Sequence, residues 1–168
     1  KTLKTLLCAV VLLTSCKDDV TDSVIPEYNI HYSSNATLVN AYLQQTEQAG
    51  LDCQGGYVRV YDKKNLSASD VIGLGGLLIL QNYEGAFHAF DLACPYCFAE
   101  GKTGTKVNRI SMKDDGITAV CPSCASEYGA VFWGSPAPTA GPANEEKLIL
   151  RRYRAQRLMD GVTVTVTR

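Results

Sequence analysis

Residues 77–97 read LLILQNYEGAFHAFDLACPYC, and residues 117–124 read ITAVCPSC. Each stretch runs from an apolar or alternating segment, which is typical of a β-strand, into a Cys-Pro-x-Cys box. A turn at Glu84-Gly85 joins the two strands of the longer stretch into a hairpin. The two strand-and-box units therefore predict an antiparallel β scaffold that carries two cysteine loops.

The two boxes carry four thiols, which belong to Cys94, Cys97, Cys121 and Cys124. Each box places its pair of thiols on one tight turn, in which the proline fixes φ. Two such turns that face each other bring four sulfurs together, and this suits a tetrahedral metal ion or an iron–sulfur cluster. A single Cys-x-x-Cys is a common chance occurrence, whereas a matched pair is not, so the boxes are the predicted functional centre and metal site.

Length and composition bound the remaining possibilities. The 168 residues are enough for one domain with a hydrophobic core. The formal net charge is −1 and the acidic and basic residues are mixed, so nothing predicts a nucleic-acid partner. Nine tyrosines against two methionines fit a β-rich domain.

The first residues have the pattern of an export signal. Lys1 and Lys4 form a basic segment, and Leu6 to Leu13 is an apolar stretch too short to remain across a bilayer. Leu13-Thr14-Ser15-Cys16 resembles a bacterial lipobox, which predicts that Cys16 is lipidated. Acyl chains on Cys16 would be a strong membrane anchor, since each buried CH₂ contributes roughly 0.8 kcal/mol.

This pattern divides the chain into three predicted parts. Residues 1–15 are a lipoprotein signal peptide, residues 16–25 are the lipidated N-terminus with a polar tether, and residues 26–168 are the β domain. The predicted location is the outer membrane, with the lipid-anchored domain on the periplasmic face or at the cell surface.

Further strands and turns follow along the chain. A short helix is predicted around Leu38 to Leu43, and a last hairpin around Asp160-Gly161. The other predicted strands are Tyr28–Tyr32, Tyr57–Tyr61, Ile117–Val120, and the two arms of the last hairpin at 147–158 and 162–167. Many short strands with Gly and Pro turns imply an antiparallel sandwich or small barrel.

The second box and the sequence beyond it resemble a Rieske domain. Cys121-Pro122-Ser123-Cys124-Ala125-Ser126 is similar to the Cys-Pro-x-His-Gly-Ser run of that family, and Asp91 to Pro95 is similar to its first box. Gly141-Pro142-Ala143 and the segment Leu148 to Tyr153 resemble the family's downstream pattern. The resemblance covers about residues 55–167 and is strongest to Rieske-like lipoproteins of Bacteroidetes. It implies an all-β, Rieske-like antiparallel sandwich or small barrel with a two-loop cysteine site.

The ligand positions depart from the Rieske pattern. A Rieske centre needs two histidines on one iron. In this chain Tyr96 and Cys124 stand at those positions, and the two histidines present, His31 and His88, lie outside the boxes. His88 falls in an alternating strand and is predicted to be structural. The resemblance therefore implies the fold but not a high-potential, His-ligated cluster.

Three occupants of the four-cysteine site remain open. The first choice is zinc in a closed, structural site, which makes the domain a structural or binding module. The second is an all-Cys [2Fe–2S] cluster for electron transfer; export as an unfolded chain disfavours it. The third is a domain without metal, stapled by disulfides within the boxes or between them, which an oxidising compartment favours.

Catalysis is not predicted for any residue. Redox-active Cys-x-x-Cys pairs normally lie at a helix N-terminus, whereas both boxes here are predicted to follow strands without opening a helix. Cys53 lacks a partner at ligand spacing and is predicted to be an ordinary buried residue. Trp133 is predicted to lie in the core. The arginines at 151, 152, 154 and 157 are predicted to form a solvated face, with binding of an anionic partner as the alternative.

Overall fold

The computed structural model describes residues 22–35, 55–62, 66–102, 106–160 and 163–168. Four predictions lie outside these residues: the signal peptide, the lipidated Cys16, the helix at 38–43 and the isolated Cys53. Within the described ranges, no helix is long and apolar enough to cross a bilayer.

A curled antiparallel sheet of six strands forms a half-barrel, which confirms the predicted all-β small barrel. Its strands are β1 (His31–Asn35), β2 (Tyr57–Val60), β3 (Leu77–Gln81), β4 (Phe87–Asp91), β8 (Arg152–Arg157) and β9 (Thr163–Thr167). Their order in the sheet is β1-β9-β8-β4-β3-β2. A smaller sheet has the order β5-β6-β7 and consists of β5 (Ser111–Met112), β6 (Ala119–Val120) and β7 (Glu127–Tyr128).

Short helical segments complete the described elements. They are α1 (Pro95–Ala99), a 3₁₀ turn (Val131–Trp133) and α2 (Pro142–Glu145). The first box lies at the start of α1, with Cys94 as its N-cap residue. The expectation that neither box opens a helix is therefore wrong for the first box. Proline at the first helical position explains the difference, because its fixed φ favours a helical turn and its missing N–H is not needed there.

The core lies on both faces of the six-stranded sheet. Strand β3 is buried along its whole length, and its alternate side chains enter different clusters. Leu78 and Leu80 pack in the hydrophobic cluster that contains the box cysteines. Leu77 and Ile79 pack in a second cluster, with Val164 and other residues. The continuous apolar run at 77–80 is thus explained by burial on both faces.

Three strands begin at least two residues later than predicted. The first arm of the last hairpin, predicted from 147, begins at Arg152 as β8; the other two begin later for local reasons. β1 begins at His31 and not at Tyr28, because the Tyr28 carbonyl accepts from the Ile30 N–H at 2.9 Å in a tight turn. β6 begins at Ala119 and not at Ile117, because Asp115 Oδ1 accepts from the N–H groups of Ile117 and Thr118, both at 2.8 Å. In β1 and β6, hydrogen bonds of a local turn therefore occupy backbone groups that would have paired in the predicted strand.

The predicted hairpins are present in the sheet. β3 pairs with β4 around a turn in which Gly85 has φ +83°. β8 pairs with β9 from Arg157–Val164 to Arg154–Thr167. The first hairpin carries the chain directly into the first cysteine box, so its register fixes where Cys94 lies.

Candidate metal centre

The first box is held between the main sheet and the chain leading into β5. Cys94 donates its N–H to the Asn108 carbonyl at 2.9 Å, and the Cys94 carbonyl accepts from Phe98 N–H at 3.0 Å within α1. The Cys97 carbonyl accepts from the N–H of Lys102 at 2.9 Å. The thiols of Cys94 and Cys97 are therefore presented by a short helix whose two ends are both hydrogen-bonded.

The second box forms a tight turn between β6 and β7. The Cys121 carbonyl accepts from Ala125 N–H, and the Cys121 N–H donates to the Ser126 carbonyl, both at 2.9 Å. Ala125 has a positive φ of 58°, which is uncommon for a residue with a side chain. Gly141 packs so closely that a Cβ there would lie 2.7 Å from the Ala125 carbonyl oxygen. The turn thus depends on a glycine at 141.

All four box cysteines come together. The Sγ atoms of Cys94 and Cys124 are 3.6 Å apart, those of Cys97 and Cys121 are 3.8 Å apart, and all four lie within 4.8 Å of one another. A zinc ion with Zn–S bonds of about 2.3 Å spaces its sulfurs about 3.8 Å apart at the edges of a tetrahedron. The four thiols have the spacing of a single-ion site and could hold a metal ion.

Burial of the thiol cluster disfavours the charged, thiolate form of its cysteines. Cys94, Cys97 and Cys121 are buried, and Cys124 is partly buried. The interaction between the Cys94 and Cys121 thiols lowers the pKa of Cys121 and raises the pKa of Cys94. Burial raises the pKa of Cys97 to about 11. One thiolate is therefore favoured in this cluster, and further thiolates need a cation among them.

Two hydroxyl groups border the sulfurs. Ser126 Oγ lies 3.1 Å from Cys124 Sγ and accepts from the Ala143 N–H at 3.0 Å. Tyr128 is completely buried, and its Oη makes no hydrogen bond. Burial, and then the charges of the four cysteines, raise the pKa of Tyr128, so this hydroxyl stays protonated and lies close to the thiols. An unpaired buried O–H is costly.

A buried carboxylate connects the first box to the main sheet. Asp91 is fully buried and accepts from the N–H groups of Gly75 and Ala93 at 2.8 Å each, and from Leu74 N–H at 2.9 Å. Tyr153 Oη also donates to Asp91, at 3.3 Å. Burial raises the pKa of Asp91, while these hydrogen bonds lower it in part. Because Ala93 precedes Cys94, this carboxylate fixes the backbone that enters the first box.

The other residues singled out in the sequence lie away from the thiols. His88 lies in β4, and its Nε2 is 3.4 Å from Asn82 Nδ2, so it is not part of the cysteine cluster. Trp133 is 50% exposed, which makes its predicted core position wrong. Its ring packs edge-on against buried Phe132, 5.3 Å between centroids, and also near Tyr83.

Sequence reasoning missed Ser126, Tyr128 and Asp91 as parts of the centre. A signal existed for the first two, because both follow the second box at alternating positions, two and four residues after Cys124. For Asp91 the only signal was an acidic residue at the end of a strand that is otherwise apolar on its buried face. Two of its donors are the N–H groups of Leu74 and Gly75, which no sequence pattern connects to position 91.

Comparisons with known proteins add no relative: no family model, curated protein or solved structure matches the chain.

Proposed function

We propose that the chain is an envelope lipoprotein whose β domain binds one metal ion through Cys94, Cys97, Cys121 and Cys124. Zinc is the proposed metal, and its role is structural, since four thiolates leave no open coordination position for a substrate. The observation that carries this proposal is the spacing of the sulfurs, with all four within 4.8 Å. The domain would then act through its surface, as a binding module.

The surroundings of the sulfurs fit a thiolate–metal centre. The Ser126 hydroxyl, 3.1 Å from Cys124 Sγ, would donate to this sulfur once it ionises around a cation. Such hydrogen bonds orient metal ligands and tune their affinity. The two ligand loops are also held by backbone hydrogen bonds that do not involve the thiols. These contacts support a site whose shape is set by the fold before the metal enters.

An all-Cys [2Fe–2S] cluster is the alternative, and the sulfur spacing disfavours it. In such a cluster each iron holds two cysteines, and the two irons with their bridging sulfides lie between the two pairs. The pairs are therefore farther apart than the ligands of one ion. A group of four sulfurs within 4.8 Å leaves no room for that core without movement of a loop.

A disulfide-stapled domain is the third possibility. A disulfide needs an S–S distance of about 2.05 Å, so Cys94 and Cys124, at 3.6 Å, would have to approach. Two close sulfur contacts join the loops, Cys94 to Cys124 at 3.6 Å and Cys97 to Cys121 at 3.8 Å, so oxidation across these contacts would link those pairs. This pairing distinguishes cross-loop staples from disulfides within each box.

Metal analysis of the purified protein tests the proposal. We expect a colourless protein with one zinc per chain and four thiols that alkylate only after chelation. Two irons with labile sulfide and visible absorbance would support the electron carrier instead. No metal, with four cysteines that alkylate only after reduction, would establish disulfides.

Membrane anchoring through Cys16 is a separate part of the proposal and rests on the lipobox-like sequence alone. The expected result is that the protein fractionates with the outer membrane, and that Cys16→Ser releases it. Mass spectrometry of the mature N-terminus should find an acylated Cys16. A soluble wild-type protein with an unmodified cysteine would contradict the anchor without affecting the metal site.

The Rieske-like relationship also remains a proposal. It is supported by two cysteine loops on an antiparallel scaffold and by the packing of Gly141-Pro142-Ala143 under the second box. An experimental structure tests it: superposition on Rieske domains should align both loops and the strands that carry them. Alignment of the boxes alone, with a different strand order, would argue for independent origin.

A further inference from the structure

The chain that enters the domain from its N-terminal side is fixed beside the start of β8. Arg151 pairs with Asp22 at 2.7 Å. Its Nε and Nη2 atoms also donate to the carbonyls of Ile25 and Ser23, at 2.9 and 2.8 Å. Ser23 Oγ donates to the Ile149 carbonyl at 2.8 Å, and Ile25 is fully buried. The position of Asp22 on the domain is therefore set by several contacts.

The proposed lipid anchor lies close to this attachment in the sequence. Cys16 precedes Asp22 by six residues, which span at most about 21 Å even when the chain is fully extended. Acyl chains on Cys16 would therefore hold Asp22 within about 20 Å of the bilayer surface. This step rests on the proposed lipidation of Cys16.

Two exposed aromatic rings lie together on the domain. Trp133 is 50% exposed and Tyr83 is 56% exposed. Their ring centroids are 6.2 Å apart, and both rings pack on buried Phe132, at 5.3 and 5.0 Å between centroids. Each ring is thus held in place by a core residue while about half of its surface reaches solvent.

The aromatic pair lies near the attachment of the N-terminal chain. Leu150, next to Arg151, donates its N–H to the Pro136 carbonyl at 2.9 Å. Pro136 follows Trp133 by three residues, so the Cα atoms of Trp133 and Arg151 are at most about 20 Å apart. A bilayer that the anchor brings to Asp22 is therefore within reach of the aromatic pair.

Two arginines lie on the side of the sheet that carries this pair. Arg152 stands opposite Phe90 in the ladder, so their side chains share a face of the sheet. Arg154 lies on the same face, because it is two residues further along β8. Phe90 and Phe132 belong to one hydrophobic cluster. The face that bears the two arginines is therefore the one against which the 3₁₀ turn packs.

His88 connects the arginines to the aromatic pair. Its ring packs against Gly134, where a Cβ would lie 2.6 Å from Nδ1, and Gly134 directly follows Trp133. Burial lowers the pKa of His88, and the nearby charge of Arg152 lowers it further. Arg152 and Arg154 are exposed, and among the described residues neither makes an ion pair, a hydrogen bond or a ring contact. The side of the sheet with the exposed rings thus also carries two guanidinium groups without a carboxylate partner there.

We propose that Tyr83, Trp133, Arg152 and Arg154 form a membrane-facing surface, which rests on the phospholipid bilayer in which Cys16 is anchored. The rings suit the headgroup level, because Trp and Tyr combine an apolar body with a polar tip. The guanidinium groups suit lipid phosphates, whose oxygens match their planar N–H donors. The domain is then held in one orientation on the membrane and does not move freely at the end of its tether.

The fluorescence of Trp133 tests this contact directly, because it is the only tryptophan of the chain. The acylated, metal-loaded full chain is reconstituted in vesicles of phosphatidylethanolamine and phosphatidylglycerol. We expect emission at shorter wavelength than that of the unacylated chain in buffer, and quenching by lipids brominated on their acyl chains. An acylated protein whose Trp133 is neither shifted nor quenched would overturn the membrane-facing surface and leave the anchor intact. An unmodified Cys16 in mass spectrometry would overturn the anchor, and this inference with it.

A charge variant tests the two arginines. Each basic residue near an anionic surface adds to the attraction, so R152Q/R154Q should lower the ratio of membrane-contacting to free domains at least about tenfold, as read from the quenching of Trp133. Both arginines are exposed, so this variant should fold normally. K106Q/K113Q removes two positive charges from exposed positions outside the membrane-facing surface and should leave the quenching unchanged. Unchanged quenching in R152Q/R154Q, or an equal loss in both double variants, would overturn the assigned role of the arginines.

A second pair of variants tests the aromatic contact. Y83S removes the ring beside Trp133 and should reduce its quenching by brominated lipids. Tyr61 is exposed to a similar degree, 43%, and lies outside the membrane-facing surface, so Y61S should leave the quenching unchanged. The same quenching in Y83S and Y61S would contradict the aromatic part of the proposal.

Discussion

Replacing Asp91 by asparagine tests how the fold holds the first ligand loop. The carboxylate accepts from three backbone N–H groups, those of Leu74, Gly75 and Ala93, and from the Tyr153 hydroxyl. An asparagine keeps one acceptor oxygen and introduces an NH₂ group in place of the other. Since Asp91 is fully buried, water cannot replace a lost partner.

The size of the destabilisation depends on which carboxylate oxygen of Asp91 the NH₂ group replaces. An NH₂ group at the Oδ1 position would face two N–H donors, those of Gly75 and Ala93. At the Oδ2 position it would face Leu74 N–H and the Tyr153 hydroxyl, which can rotate and accept. The second orientation leaves one N–H unpaired, and removing a buried charge offsets part of the loss. We expect about 1–2 kcal/mol of destabilisation for D91N and at least about 3 kcal/mol for D91L, which has no acceptor.

Urea unfolding of the metal-loaded protein measures these differences, and competition with a chelator measures zinc affinity. Because Ala93 precedes Cys94, D91N should also weaken zinc binding. Asp115 supplies the control: its Oδ1 alone accepts from two backbone N–H groups in an exposed turn, which an asparagine can reproduce. D115N should change stability by less than about 0.5 kcal/mol. Equal stability losses for D91N and D115N would refute the reasoning.

Three further variants test other parts of the structure. Y128F should stabilise the protein by about 1 kcal/mol in urea unfolding, since it removes a buried hydroxyl that has no hydrogen-bond partner; a loss of stability would contradict the absence of a partner for this hydroxyl. The pKa of His88 is lowered from 6.5, so below that pH the unfolded chain binds the extra proton and the free energy of unfolding falls as pH drops. Urea unfolding between about pH 7.5 and pH 5 should show a shallower pH dependence for H88Q than for the wild type; parallel curves for the two proteins would contradict this assignment. G75A should cost about 2–3 kcal/mol in thermal and urea unfolding, because its Cβ would overlap the backbone of Ala93. G101A, where φ is +64° and no atom lies within 4 Å, should cost only about 1 kcal/mol, and equal losses would show that the close packing at Gly75 is not limiting.

Local patterns were sufficient to predict the scaffold. The apolar run at Leu77–Leu80 and the alternation at Phe87–Asp91 predict the hairpin that the structure has as β3 and β4. The turn at Gly85 has the positive φ that glycine accommodates. Each of these features is encoded within a few consecutive residues, which is why it could be predicted from the sequence.

The rest depends on contacts between distant residues. The spacing of the two boxes predicts four convergent thiols, but not that Cys94 contacts Cys124 and Cys97 contacts Cys121. The exposure of Trp133 depends on where the 3₁₀ turn at 131–133 lies against the sheet. The pairing of β4 with β8 stops after Phe90–Arg152 and Ala89–Tyr153, and no local pattern records where two strands diverge.

The measurement that tests the central claim most directly is X-ray absorption at the edge of the bound metal in the purified protein. A single-ion site formed by the four cysteines predicts four sulfur neighbours at about 2.3 Å, the distance of a zinc–thiolate bond, and no second metal nearby. Backscattering from a second metal, or a first shell with fewer than four sulfurs, would contradict the account.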